Sequence, residues 1–251
     1  VSDAGRVVAV VQARTGSTRL PAKVLRPLGP AGRSVLAWTV RAARAAVAVD
    51  DVVVATTTLA EDDAIAAWCT TEHVRCHRGP VDDVLTRFLG AIAEDDAAWV
   101  VRLTADCPLL DPALVDATVA VARATGADHT STVAERTFPR GLDVEVVGTD
   151  ALRALDAVAE GFDRVHVTSA LYRADAPWAG RWRTASLTVQ PGAGDLRVTL
   201  DTPEDAALLD AIVARTGDRI VPWRALVALL RDEPGLAELN AHVAQKAMAE
   251  G

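Results

Sequence analysis

The chain has 251 residues, half of them hydrophobic, 24% charged, and a formal net charge of −8. That length suits one large domain or two small ones, and the apolar share is enough for a sizeable core. The acidic balance argues against a generic nucleic-acid or anionic-membrane binder and leaves room for a local anion site.

Three cysteines make a disulfide framework a poor fit and suit a reducing compartment. No apolar run reaches membrane-spanning length, and the start, VSDAGRVVAVVQ, lacks a secretory pattern. The expectation is a soluble cytoplasmic protein.

In chain order, Arg6 to Gln12 predicts a buried strand, and it runs into VQARTGSTRLPAKVL, Val11 to Leu25. Between Ala4 and Val49 there is no Asp or Glu, while Arg6, Arg14, Arg19, Lys23, Arg26, Arg33, Arg41 and Arg44 all fall there. In an acidic chain such a segment reads as a holder for a compact anion, with Arg41 and Arg44 left to a helix face. Lysine occurs only at Lys23 and Lys246, so a lone Lys in this loop reads as a compact point charge.

A helix is predicted over Ser34 to Val47, a strand over Asp51 to Thr56 and a helix over Glu61 to Cys69. A short strand at His73 to His77, a helix at Val81 to Glu94, a strand at Trp99 to Leu103 and a helix at Pro112 to Ala124 follow. Short β-branched runs alternating with helices predict a mostly parallel sheet covered on both faces. The right-handed crossover rule makes this a doubly wound three-layer α/β/α sandwich, with ligands at the carboxyl ends of its strands.

The second half is less regular. Strands are predicted at His129 to Val133, Leu142 to Val147, Trp182 to Val189 and Leu196 to Leu200. Helices are predicted at Thr149 to Ala159, Arg164 to Ala174, Pro203 to Ala214 and Pro222 to Leu230. There is no internal repeat and no low-complexity linker, so the expectation is one domain over 1–251. Trp223, Leu226 and Leu229 can pack on the core or on a second subunit.

Gly16 permits close backbone approach. Backbone amides near Gly16 and Ser17 can donate to phosphate oxygens, while Arg14, Arg19 and Lys23 can neutralise a polyphosphate. The loop is not a Walker A motif, and G-x-G-x-x-G is absent. A cationic surface loop with a structural glycine is the plainer alternative. Asp106 and Asp201 each follow a predicted strand, so both sit at the ligand end of the sheet. Two such carboxylates can share Mg²⁺ with phosphate oxygens and water. The alternatives are a turn residue at Asp106 and a helix cap at Thr202 or Asp201 in D-T-P-E-D.

Cys69, His73, Cys76 and His77 do not match paired zinc-ligand spacings. Cys107 has no His nearby and reads as a small buried residue. Thr56 and Thr57 end a strand, to touch a nucleotide or to cap. Arg102, within a strand, needs a partner, either structural or ligand. Asp143 and Glu145, two apart in RGLDVEV with Arg140, would share one strand face, for a polar acceptor or for solvent. His166 is placed on a helix, for an anionic group, proton transfer or a satisfied core position.

The segment QARTGSTRLPAKVL resembles the signature of the cytidylyltransferase family of the spore-coat polysaccharide biosynthesis protein F type, related to the synthetases that activate sugar acids with CTP. VVVATTTLAEDDAIAAWC, RGPVDDVLTRF, VVRLTADCPLLDP, FPRGLDVEVV, HVT and LRVTLDTPED match in family order, out to about Asp205. The resemblance implies a Rossmann-like sheet of the nucleotide-diphospho-sugar transferase type. It implies CMP transfer from CTP, with Asp106 and Asp201 holding Mg²⁺ and Ala13 and its neighbours beside the pyrimidine. Arg78 is placed near the nucleotide. Arg140, Asp143, Glu145 and His166 fall on the acceptor side, within a 128–200 subregion also expected to carry a homodimer contact.

Three departures stand out: Thr15 where the family usually has a larger apolar residue, Ala22 where it has Gly, and Val165 where it has Glu before the His. The last leaves open whether the acceptor is a sugar acid or a phosphate- or phosphonate-bearing small molecule. A glycosyltransferase using a nucleotide sugar and a non-catalytic nucleotide-binding module are the alternatives.

Overall fold

The computed structural model describes residues 5–244. Its strands are β1 (Arg6–Gln12), β2 (Pro27–Leu28), β3 (Arg33–Ser34), β4 (Asp51–Thr57), β5 (Arg75–Gly79), β6 (Ala97–Thr104), β7 (His129–Ser131), β8 (Glu145–Gly148) and β9 (Thr184–Ser186). Val7 to Val11 are apolar at every position and fully buried, so β1 has no solvent face and belongs at the centre of the sheet. It pairs in parallel with β4 and β6, and β5 continues in parallel beyond β4. On the other side β8 runs antiparallel to β6, β7 antiparallel to β8, and β9 parallel to β7. The order of this seven-stranded sheet is β5-β4-β1-β6-β8-β7-β9, and β2 and β3 form a separate hairpin.

The helices are α1 (Val35–Ala45), α2 (Asp63–Thr71), α3 (Val84–Ala91), α4 (Pro112–Thr125), α5 (Thr149–Asp156), α6 (Phe162–His166), α7 (Ser169–Tyr172), α8 (Pro203–Thr216), α9 (Trp223–Asp232) and α10 (Pro234–Glu238). Successive β1 side chains serve opposite faces. Val7, Ala9 and Val11 join the core under α1, α2, α4, α8 and α9, whereas Val8 and Val10 join the one under α3, α5 and α7. The result is the expected three-layer α/β/α sandwich. Trp223 and Leu226 are buried in the first core and Leu229 packs against it, so this face of α9 is satisfied within the chain.

The irregular elements lie in the second half, each with a local cause. The predicted helix over Arg164 to Ala174 breaks at Val167, whose φ of 51° and ψ of −95° are not helical. The predicted strand over Leu142 to Val147 becomes β8 only from Glu145. The Val144 amide donates to the Thr132 hydroxyl at 3.0 Å, so a side chain replaces a ladder bond there. Leu196 to Leu200 is not a strand. Val198 donates to the Arg140 carbonyl at 2.7 Å, and Leu200 then donates to the Asp106 carbonyl at 2.9 Å. The segment crosses from one neighbour to another and never builds a ladder. That crossing carries Asp201 to the end of β6.

Gly141 makes the crossing feasible. Its φ is +101°, and a Cβ there would lie 2.5 Å from the Thr199 nitrogen and 2.6 Å from the Val198 carbonyl carbon. Both obstacles are backbone and cannot swing aside. Gly141→Ala is expected to destabilise the fold by about 2–4 kcal/mol in urea unfolding. A loss below about 0.5 kcal/mol, the level of an ordinary surface change, would contradict the close approach.

Candidate active site

The carboxyl ends of β1 and β6 open on a cleft of about 560 Å³. One wall is the loop after β1, which contributes Arg14, Gly16, Ser17, Arg19 and Lys23. Asp106, Arg140, Asp143, His166 and Asp201 line the same cleft. The first-strand loop and the two aspartates, far apart in sequence, therefore face one space.

The loop is closed by its own backbone. The Thr15 carbonyl accepts from the Ser17 amide at 2.8 Å and from the Ala22 amide at 3.0 Å. The Ser17 N–H, expected to face a phosphate, is thus turned onto the loop itself. Ala22 sits at φ 53° and ψ 21°, the left-handed conformation that accounts for glycine being usual in the resembling family. Its side chain is exposed, so the methyl group meets no steric obstacle beyond its own backbone. Arg14 is exposed and makes no ion pair among the described residues.

Lys23 follows Ala22 and is only 9% exposed. Its ammonium donates to Asp106 Oδ2 at 2.6 Å and to Asp201 Oδ1 at 2.7 Å. Burial opposes the charge, but the two carboxylates outweigh it and hold the Lys23 pKa above its ordinary value. Burial likewise pushes Asp201 up, and Lys23, Arg197 and Arg19 together bring it below the usual carboxylate value. Asp201 is not the helix cap. Thr202 caps α8 in a reciprocal capping box with Asp205, which leaves the Asp201 carboxylate to the cleft. Asp106 does sit in a turn, with the Cys107 amide donating to the Thr104 carbonyl at 3.2 Å.

Two carboxylate oxygens converging on one ammonium nitrogen define a point where a cation is held. Among the described residues no group of three His, Cys, Asp or Glu side chains gathers for a metal. Asp106 and Asp201 would thus supply two hard oxygen ligands, with phosphate and water for the rest. That donor set fits Mg²⁺, which keeps several waters and takes one or two carboxylates plus substrate phosphates.

Several predicted contacts lie away from the cleft wall. Glu145 is 4% exposed and sits behind it, paired with Arg102 and with His129 at 3.1 Å. The strand starts at Glu145, so Asp143 lies in the preceding loop, and the two carboxylates do not share one strand face. Asp143 reaches the cleft and pairs with Arg136 at 2.7 Å. Ala13 is 2% exposed, with its amide on the Ala55 carbonyl. Thr56 is buried in β4, and the Thr57 hydroxyl donates to Asp62. Arg78 is spent on the Thr57 and Leu59 carbonyls, both at 2.9 Å, and on Asp63. Burial pushes the Cys107 thiol well above its usual value, consistent with a neutral cleft-wall residue.

Sequence reasoning missed Arg197 and Asp62. Arg197 donates to Asp201 Oδ2 at 2.7 Å and pairs with Asp205. An arginine four residues before an aspartate was the available signal. Asp62 was hidden in the acidic run Glu61 to Asp63, which reads as ordinary helix-start charge.

A family model described as Cytidylyltransferase matches residues 8–197. The chain belongs to the cytidylyltransferase family. This cytidylyltransferase is 31% identical over 236 residues to the spore coat polysaccharide biosynthesis protein SpsF of Bacillus subtilis, covering 92% of this chain and 96% of that protein. Its fold is similar to a cytidylyltransferase structure from Leptospira borgpetersenii, with a TM-score of 0.86, 25% identity, and coverage of 97% and 99%. It also shares its fold with a CMP:2-keto-3-deoxy-manno-octonic acid synthetase solved with CTP, at a TM-score of 0.59, 18% identity, and coverage of 84% and 99%. The cytidylyltransferase is a CTP-dependent nucleotidyltransferase, which sets aside the binding-module and nucleotide-sugar alternatives.

Behind its cleft, burial raises the Glu145 pKa and Arg102 and His129 more than reverse this, bringing it from 4.5 to about 2. A folded pKa below the unfolded one means that ionised Glu145 stabilises the fold above about pH 4.5, and this contribution fades as pH falls toward 2. It amounts to roughly 3 kcal/mol. Glu145→Gln is therefore expected to be less stable than the parent near neutrality, with the gap closing in acid. Urea midpoints measured down the pH range check this; a gap that stays constant would remove the buried ion pair as its source.

Proposed function

We propose that this cytidylyltransferase transfers CMP from CTP to an oxygen of an anionic small molecule, a sugar acid or a phosphate- or phosphonate-bearing compound, and releases pyrophosphate. The observation that carries the acceptor's charge is Arg140. Its guanidinium is half-buried, lines the cleft, and makes no ion pair among the described residues. Burial and the neighbouring Arg136 lower its pKa, Asp143 and Asp201 opposing, so an added anion would relieve an uncompensated cation. The adjacent Arg136 and Arg197 are already committed to Asp143 and to Asp201 and Asp205.

In this reading Arg14, Arg19 and Lys23 bind the triphosphate from the loop side and stabilise the charge that builds on the leaving pyrophosphate. The acceptor oxygen forms a bond to the α-phosphorus as the bond to the bridging oxygen of the pyrophosphate breaks. Asp106 and Asp201 would hold a divalent cation, Mg²⁺, which supplies Lewis-acid polarisation of phosphoryl oxygen when bound. Lys23 gives up at least one carboxylate when the triphosphate arrives, because its ammonium can then face phosphate. Arg140 fixes the acceptor's anion. His166, held against the Phe162 ring at 4.1 Å between centroids, lines the same cleft and in this reading takes the proton where the acceptor oxygen is a hydroxyl. Catalysis is then positioning plus electrostatics with no covalent enzyme intermediate. The 128–200 region forms the acceptor side, and a homodimer in the cytoplasm is the setting that goes with this reading.

The test is pyrophosphate release from CTP with Mg²⁺ across sugar acids, phosphates, phosphonates and neutral alcohols of similar size. Anionic acceptors are expected to turn over and neutral ones not. Arg140→Met is expected to raise the acceptor KM at least about tenfold, the cost of one lost charged hydrogen bond, with the CTP KM nearly unchanged. Equal turnover of neutral acceptors would sink the anionic-acceptor reading. Asp106→Asn and Asp201→Asn are each expected to abolish Mn²⁺ binding to the CTP complex, read by electron paramagnetic resonance.

A further inference from the structure

We propose that Asp62 is the positioning residue of the triphosphate loop, a buried carboxylate that pins Thr15 to the end of β4. The inference rests on the reading of this loop as the triphosphate site.

Asp62 is fully buried and makes no ion pair among the described residues. A carboxylate in that position is costly unless hydrogen bonds compensate it. Here they come from two segments. Asp62 Oδ1 accepts from the Thr15 amide and from the Thr15 hydroxyl, each at 2.7 Å. Asp62 Oδ2 accepts from the Thr57 hydroxyl. These donors bring Asp62 below the usual carboxylate value although burial pushes the other way.

Thr15 is the hub of the loop. Its carbonyl receives the Ser17 and Ala22 amides, and Lys23 is the next residue after Ala22. A chain of short bonds therefore runs from β4 through Asp62 and Thr15 to the residue that bridges Asp106 and Asp201. Arg78 braces the other side of the same turn by donating to the Thr57 and Leu59 carbonyls. Thr57 and Arg78 thereby support the loop from beneath. The threonine at position 15 also gains a reason: an apolar residue there could offer only its amide to Asp62.

Removing the carboxylate leaves the Thr15 amide and the Thr57 hydroxyl without their acceptor, and leaves the Thr15 hydroxyl only the Glu61 carbonyl at 3.2 Å. Hydrogen–deuterium exchange of residues 14–22 in the nucleotide-free protein reads the pin directly. CTP and acceptor KM values read its consequence. Asp62→Ala is expected to speed exchange in 14–22 and to raise the CTP KM, each by about tenfold, as the loss of one to two hydrogen bonds implies. Exchange of β1 and β6 and the acceptor KM should stay where they were. Asp62→Asn should recover most of both effects, because its carbonyl can accept from Thr15 and its amide can donate to Thr57.

If Asp62→Ala fails to fold, Thr15→Val carries the same readouts with a smaller expected change, having lost one donor. Unchanged exchange in a folded Asp62→Ala overturns the pin and leaves the loop's cations assigned. Faster exchange with an unchanged CTP KM overturns the positioning role, whereas the loop as the triphosphate site falls only if Arg14→Met and Arg19→Met also leave the CTP KM unchanged.

Discussion

The ammonium of Lys23 lies between Asp106 and Asp201, and this contact sets what the rest of the chain must deliver. Three segments have to meet at one point: the loop after β1, the turn after β6 and the stretch ahead of α8. A charge as deeply placed as Lys23 is tolerable only if its partners are in place, because burial alone would disfavour the cation. Adjacent parallel strands bring the first two segments together. The third arrives through the crossing of Val198 and Leu200 over Arg140 and Asp106, with Gly141 giving the backbones room. In the proposed reaction the ammonium and a divalent cation would be rivals for one pair of carboxylates, and an incoming triphosphate would shift that balance by offering Lys23 another anion.

The loop departures then have separate physical meanings. Ala22 accepts a left-handed backbone that glycine would take without cost, so the loop stores a small local strain. Thr15 contributes a hydroxyl to the bond set under the loop. One change strains the backbone slightly, and the other adds a fastening. Neither removes a cation, so the charge pattern of the loop is kept.

The first half of the fold was legible because its periodicities are simple. Buried β-branched runs alternating with capped helices admit one kind of sheet, and β1, β4, β6, α1 and α4 fall close to where pattern alone puts them. That the loop cations and the two aspartates line one cleft followed from their places after strands, although a turn and a cap were equally good readings of the aspartates from the residues alone. The second half resisted because side chains there interrupt backbone pairing. Thr132 takes the amide of Val144, and Val167 adopts a backbone that no helix pattern anticipates. Glu145 was misplaced for the same reason: the strand alternation that would put it beside Asp143 begins only at Glu145 itself. Asp62 was invisible because its meaning depends on a threonine 47 residues away.

The departure at Val165 bears on the acceptor through charge balance. Val165 packs against the core under α3 and α5, so the position before His166 adds no carboxylate to this side of the cleft. Of the arginines there, Arg136 is matched by Asp143, and Arg197 by Asp201 and Asp205. Arg140 has no such match among the described residues, and Arg14 across the cleft has none either. In the proposed reaction the triphosphate would satisfy Arg14. Arg140 lines the same cleft, and a second negative group for it would come from the acceptor. A neutral acceptor would leave a half-buried guanidinium uncompensated as water is displaced, at a desolvation cost that an anionic one avoids. In the proposed reaction, the electrostatics that would draw CTP to the loop would also favour charge on the acceptor.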